Sequence, residues 1–385
     1  MPGNPSDIPR DAFDLLLLER LPGVGLATVQ RLVQRFGTPD RALAASNRDF
    51  AAVASGAAAR ARTSRELRGQ VETALEVAQR ECMTVLTWSC PAYPGSLRHL
   101  ADPPPVLFLK GRTELLDRRA VTVVGARRST ARSKDFAHRL GAALARAGCT
   151  VVSGLALGID RAAHEGALRV GGDTVAVLGT GVDVAYPRSH APLFRRIGER
   201  GLLVSEFLPA TRAAPHHFPR RNRILAALSV ATVVVEAGRK SGALITVDHA
   251  LDIGREVWIV PGPIESVACE GSNRLLAEGA RPVLSIPDLV RCVGGDADRA
   301  PARGTSDGGR PRNAEPPGAA PGAKRDRGPD VTSHVLAALA DGPLTVDELA
   351  SRLGLAPSEA LALLTGLELH GDVERLAGMR FRWAA

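Results

Sequence analysis

The sequence predicts an α/β protein centred on a doubly wound, mostly parallel sheet, and three observations predict it. Six short apolar, β-branched runs follow one another at helix-length intervals: "VTVVG" (121–125), "TVVSG" (150–154), "TVAVLG" (174–179), "LLVSEF" (202–207), "ATVVVEA" (231–237) and "EVWIVPG" (256–262). None alternates apolar with polar residues, so each strand is covered on both faces. The stretches between them have helical spacing, and strand-helix repetition is the pattern of parallel crossover units.

At 385 residues the chain exceeds one domain of roughly 100–200 residues. Residues 1–82 read as a helical domain: "DAFDLLLLERL" and "LATVQRLVQRFG" flank "PGVG" (22–25), and "RELRGQVETALEVAQRE" is a third amphipathic stretch. A helix, a G-x-G turn and a second helix form a SAM/helix-hairpin-helix-like layout, whose open backbone N–H groups can hold a phosphate. A plain turn that needs glycine fits the same residues. Residues 83–295 contain the six strands. Residues 296–330 are proline, glycine and charge with scarcely an apolar side chain, and read as a disordered linker. Residues 331–385 give three short helices and then two strand-like pieces, "DVERLAG" and "MRFRW", the order of a winged-helix-like domain. From Val331 onward seven acidic residues face four basic ones, which suits a protein contact at least as well as a nucleic-acid groove.

Composition excludes several classes. No apolar run approaches the ~20 residues of a bilayer span, the longest being "LLLL" (15–18), and "MPGNPSDIPR" lacks the form of a signal peptide. A cytoplasmic protein with no membrane span is expected. Five cysteines without a C-x-x-C pair offer no metal site and read as reduced thiols. The net charge of +8 rests on arginine, since lysine occurs only at 110, 134, 240 and 324. Arginine's planar fork suits phosphate, although a compositional bias toward Ala, Arg and Gly accounts for the same count.

In an open parallel sheet ligands bind beyond the carboxyl ends of the strands. The segments there are "GARRST" (125–130), "SGLALGID" (153–160), "GTGVD" (179–183), "HHFPRRNR" (216–223) and "EAGRKSGALIT" (236–246). Glycines let backbone N–H groups approach an anion, and helix starts and Arg127, Arg221, Arg223 and Arg239 add positive charge. No acidic residue falls between Glu206 and Glu236, a stretch that holds Arg212, Arg220, Arg221 and Arg223. The edge reads as an anion site. It has no G-x-G-x-x-G, no Walker A sequence and no G-x-S-x-G elbow, so no nucleotide cofactor and no serine nucleophile are expected. Asp160 and His164 share a helix face and suit an acid/base pair, or else a helix-start charge and a packed ring.

These segments, in order, resemble the DNA-processing protein A family (DprA, also called Smf). The resemblance is carried by "YPGSL" (93–97), "DPPPVLFLKG" (102–111), "VVGARRST" (123–130), "VVSGLALGIDRAAHEGAL" (151–168), "GTGVDVAYP" (179–187), "FPRRNRI" (218–224), "VVEAGRKSGALIT" (234–246), "GREVWIVPG" (254–262) and "GSNRLLAEGA" (271–280). It implies an extended Rossmann-like core that binds single-stranded DNA, dimerises and loads the RecA recombinase in natural transformation or recombination, displacing single-strand binding protein. Neither a cofactor nor catalysis is implied. Arg127, with Arg128 beside it, would hold phosphate; Phe218 would contact or stack on a base. Arg220, Arg221, Asn222, Arg223 and Lys240 would complete the contacts, over a floor shaped by Gly125, Ser153, Gly154, Ser241 and Gly242. Tyr93 and Tyr186, each before a proline, are assigned structural roles. The chain departs from the family at 131–133, "ARS" where Tyr-Gly is usual, and at Ala243, where serine is common.

Two other functions compete. A nucleotide phosphoribohydrolase would use the same glycine-rich site with Glu236 as its acid, although the PGG-x-G-T-x-x-E loop of such enzymes is missing. An interaction scaffold would work through the acidic C-terminal module.

Overall fold

The computed structural model describes residues 8–294 and, beyond them, parts of 335–383. Two compact units divide near residue 302. The expected linker, 296–330, lies outside the described residues.

Six helices open the first unit: α1 (Ala12–Arg20), α2 (Leu26–Phe36), α3 (Pro39–Ala44), α4 (Asn47–Val53), α5 (Gly56–Ala61) and α6 (Arg65–Arg80). The hydroxyls of Ser46, Ser55 and Ser64 accept the backbone N–H of Asp49, Ala58 and Leu67, satisfying donors at the starts of α4, α5 and α6 that no helical carbonyl reaches. In α1 the four consecutive leucines 15–18 are all buried. A helix apolar on every side must be enclosed. One apolar cluster accordingly runs from Leu15, Phe50 and Val71 through Met83 and Phe108 to Ala176 and Leu203. The change at residue 82 is therefore one of architecture, and the helices and the sheet share a core.

The sheet has nine strands: β1 (Thr84–Thr87), β2 (Val106–Gly111), β3 (Ala120–Val124), β4 (Thr150–Ser153), β5 (Thr174–Val177), β6 (Leu202–Ser205), β7 (Ala231–Val234), β8 (Glu256–Ile259) and β9 (Arg281–Pro282). Their order is β1-β2-β6-β5-β4-β3-β7-β8-β9. The seven from β6 to β9 run parallel, while β2 is antiparallel to β6 and β1 to β2. The six predicted runs are β3 to β8, and β1, β2 and β9 extend the sheet at its two edges.

The helices of this part are α7 (Gly95–Arg98), α8 (Ala131–Arg146), α9 (Ile159–Arg169), α10 (Ala191–Arg200), α11 (His217–Ala227), α12 (Gly242–Asp252), α13 (Glu270–Ala277) and α14 (Ile286–Gly294). They cover both faces. Val121 and Val123 of β3 cluster with Leu140 of α8, Ala163 of α9 and Leu289 of α14. Ala120 and Val124 cluster instead with Leu225 of α11 and Val247 of α12. A strand's side chains alternate between faces, so a strand sandwiched by helices is apolar at most positions, and the buried Thr122 hydroxyl of β3 donates to the Leu225 carbonyl. The chain lays down β3 to β6 in one direction and then returns to place β7 and β8 on the other side of β3. The order thus reverses between β3 and β7, where loops diverge and leave a crevice.

In the second unit, α15 (Val346–Leu353) begins with a reciprocal cap between Thr345 and Glu348. Strands β10 (Leu344–Thr345), β11 (Val373–Leu376) and β12 (Arg380–Trp383) form an antiparallel sheet in the order β10-β12-β11. Its core contains Val335, Leu349, Leu364, Val373 and Phe381. The winged-helix expectation agrees with this, with one more strand than the two read from the sequence.

Candidate nucleic-acid interface

A cavity of about 940 Å³ opens at the β3/β7 crevice. Its walls come from the turn after β3, the segment 213–222 and the loop after β7 that starts α12.

The turn after β3 is pinned by Glu236. The Ala126 N–H donates to the Glu236 carbonyl at 2.6 Å, while the Thr130 N–H and hydroxyl donate to its carboxylate, the hydroxyl at 2.9 Å. Thr130 in turn caps α8 by accepting the Ser133 N–H. With both ends fixed, the turn projects Arg127 outward, its guanidinium 5.1 Å above the Phe218 ring. Arg127 is exposed and, among the described residues, forms no ion pair. Glu236 is fully buried and does not line the cavity. The acid that a hydrolase would need is thus occupied in holding a turn.

The loop after β4 is braced from beneath. Asp160 Oδ2 accepts the N–H groups of Gly154 and Ala156 at 3.1 and 3.3 Å. Burial raises the Asp160 pKa, with Arg221 and these N–H bonds pulling the other way. His164 does not pair with Asp160. Its Nδ1–H donates to the Thr174 hydroxyl at 2.7 Å, which itself donates to the Val151 carbonyl. Burial foremost, then Arg221 and His190, lowers its pKa to about 3, so the ring is neutral. Of the two sequence readings, helix-start charge and packed ring fits.

Helix α11 sorts its polar residues by face. Phe218, Arg221, Asn222 and Leu225, at positions i, i+3, i+4 and i+7, all line the cavity. Arg221 is buried, with Nη1 donating to the carbonyls of Gly154, at 2.9 Å, and Val177. Desolvation lowers its pKa to about 10, which leaves it charged at neutral pH. Asn222 donates to the Gly242 carbonyl at 3.1 Å and so ties α11 to the start of α12. Across the cavity Ser241 caps α12 through the Ala243 N–H, and Lys240 and Gly242 are exposed beside it.

Several expected contacts are corrected. Arg220 and Arg223 lie on another face of α11 and point away from the cavity. Arg220 pairs with Glu206 at 2.9 Å and with Glu19 of α1 at 2.5 Å. Arg223 pairs with Glu206 at 2.7 Å and with Asp102 at 3.2 Å. Ser153 donates its hydroxyl to the Val123 carbonyl at 2.6 Å, and both backbone polar groups of Gly154 are engaged beneath Arg221. A methyl at Gly154 would overlap that guanidinium, so this glycine makes room for Arg221. Arg128 is exposed outside the cavity lining. Gly125, Arg127, Phe218, Arg221, Asn222, Lys240, Ser241 and Gly242 are brought together as expected. Tyr186, given a structural role by the sequence, lines the cavity and is 45% exposed. The helical period of "FPRRNR" was the available signal for separating its arginines.

Among the described residues no group of three His, Cys, Asp or Glu could hold a metal ion, and no helix is long and apolar enough to cross a membrane. The described cysteines are free thiols.

Fold and site together define a class: doubly wound α/β proteins with a cationic cavity at the topological switch point. A family model described as "DNA recombination-mediator protein A" matches residues 84–294, and one described as "DprA winged helix domain" matches 314–379. The chain belongs to the DNA recombination-mediator protein A family, that of DprA and Smf. It is 34% identical to Protein Smf of Synechocystis sp., over 80% of this chain and 82% of that protein. Its fold is similar to the X-ray structure of DprA from Streptococcus pneumoniae, with a TM-score of 0.64 and 31% identity over 74% of this chain and 98% of that one. It is also similar to a DNA processing protein A from Helicobacter pylori, solved for its single-stranded DNA binding mode, with a TM-score of 0.50 and 30% identity over 54% and 95% of the two chains.

Proposed function

We propose that this chain binds single-stranded DNA in the β3/β7 cavity and, without catalysing a reaction, loads the RecA recombinase onto the strand in natural transformation or recombination. The carrying observation is Arg127, an exposed guanidinium with no ion pair among the described residues, held at the cavity by a pinned turn and set over an aromatic ring. Arg127 and Lys240 take phosphates. Phe218 supplies apolar surface for bases, and Arg221 adds charge from below. Gly125, Ser241 and Gly242 let the strand approach the backbone. The single-strand binding mode studied in the Helicobacter pylori relative supports this reading. The protein acts in the cytoplasm as a homodimer and displaces single-strand binding protein while handing the strand on.

The test is a binding panel of oligonucleotide, duplex and mononucleotides at two salt concentrations, followed by recombinase assembly on strands coated with single-strand binding protein. Preference for the oligonucleotide, weakening steeply with salt, and faster assembly are expected. Equal affinity for duplex and mononucleotide defeats the first part of the reading; an unchanged assembly rate defeats the second.

A further inference from the structure

The aromatic surface of the cavity extends beyond Phe218. Phe218 is half-buried: Gly179 sits so close to its ring that a methyl there would lie 2.9 Å from Cδ1, and the Arg127 guanidinium stands over it. Tyr186 lies beside it, with ring centroids 5.5 Å apart and planes tilted by 37°. It is 45% exposed, lines the same cavity, and its hydroxyl has no hydrogen-bond partner among the described residues. The chain's other tyrosine, Tyr93, is buried and donates its hydroxyl to the Pro104 carbonyl at 2.8 Å. The two tyrosines before prolines therefore differ: one completes a core, the other offers an open ring to the cavity.

We infer that Tyr186 is the base-stacking platform of the cavity, and that Phe218 is its support. The inference rests on the single-strand reading above. Arg127 and Tyr186 both meet the Phe218 ring, so a cation and an exposed ring share one aromatic support. A strand whose phosphate meets Arg127 brings a neighbouring unpaired base onto Tyr186. Such stacking tolerates any base, because every base has a π-face, and it disfavours duplex, whose bases are already stacked on each other.

Binding of oligo-dT and of an abasic strand of equal length, at two salt concentrations, tests this with wild type, Tyr186→Phe, Tyr186→Leu and Tyr186→Ala. Leucine keeps an apolar body against Phe218 and removes the ring, which separates stacking from packing. On oligo-dT, Tyr186→Phe should stay within about twofold of wild type, while Tyr186→Leu and Tyr186→Ala lose about fivefold or more. The salt slope should not change, since no phosphate contact is removed, and all four proteins should bind the abasic strand alike. A Tyr186→Leu variant equal to wild type on oligo-dT overturns the inference, as does an equal loss on both strands. Wild type that fails to bind oligo-dT overturns the single-strand reading itself.

Discussion

The Glu206 carboxylate receives both terminal nitrogens of Arg223, at 2.7 and 2.8 Å, in a pair of which neither side chain is more than 3% exposed. Arg220 joins the same carboxylate and extends the chain of charges to Glu19 of α1, while Asp102 closes it on the other side. Removing one partner strands a buried charge, which costs about 3–5 kcal/mol. Arg223→Ala should therefore lower unfolding stability by that order in denaturant titrations. A variant as stable as wild type would show that the pair is dispensable.

Arg127→Ala should do the reverse. Its side chain is exposed and forms no ion pair among the described residues, so stability should stay within about 0.5 kcal/mol of wild type. Affinity for an oligonucleotide should fall, and the slope of log K against log salt should become shallower by about 0.7 for one lost phosphate contact on a single strand. Parallel titrations of the two arginine variants would expose any error in this division, because the opposite pattern would place Arg223 on the strand.

His164 predicts a pH dependence. Its native pKa of about 3 lies below the unfolded value near 6.5. Between these values the unfolded chain binds a proton that the native state does not, so stability should fall as pH drops through 6.5 and continue falling toward 3. The contribution approaches about 1.4 kcal/mol per pH unit. Comparing wild type with His164→Gln between pH 7 and 5, above most carboxylate titration, isolates it: the variant should have a flatter profile, and parallel profiles would refute the assignment.

Glu236→Gln separates a structural carboxylate from a catalytic one. The amide places a donor where Thr130 presents its own donors, so the turn carrying Arg127 should loosen. A stability loss of about 1–3 kcal/mol and weaker oligonucleotide binding are expected, and wild type should release no free base from nucleoside monophosphates. Base release by wild type that the variant lacks would restore the hydrolase.

Short apolar, β-branched runs at helix-length intervals told the six strands β3 to β8 from the sequence, because a strand covered on both faces is largely apolar; a continuous apolar run alone does not suffice, since Leu15–Leu18 lies in a buried helix. The edge strands were harder to read: β9 is two residues long, and Leu344–Thr345 is equally short. The glycines and arginines after the strands marked the end of the sheet at which the cavity opens, and motif order along the core marked the family.

Composition could not say which arginines were already satisfied. The segment between Glu206 and Glu236 reads as free of acids, yet Glu206, Glu19 and Asp102 neutralise Arg220 and Arg223 from remote parts of the chain. Likewise Tyr93 and Tyr186 share a local pattern and meet opposite environments. Sequence by itself determined the α/β class, the strands and the sheet edge at which the cavity opens, since these follow from local period and chain order. Tertiary structure alone decided which charges face the cavity, because an ion pair and an exposed ring depend on neighbours that sequence separation does not reveal.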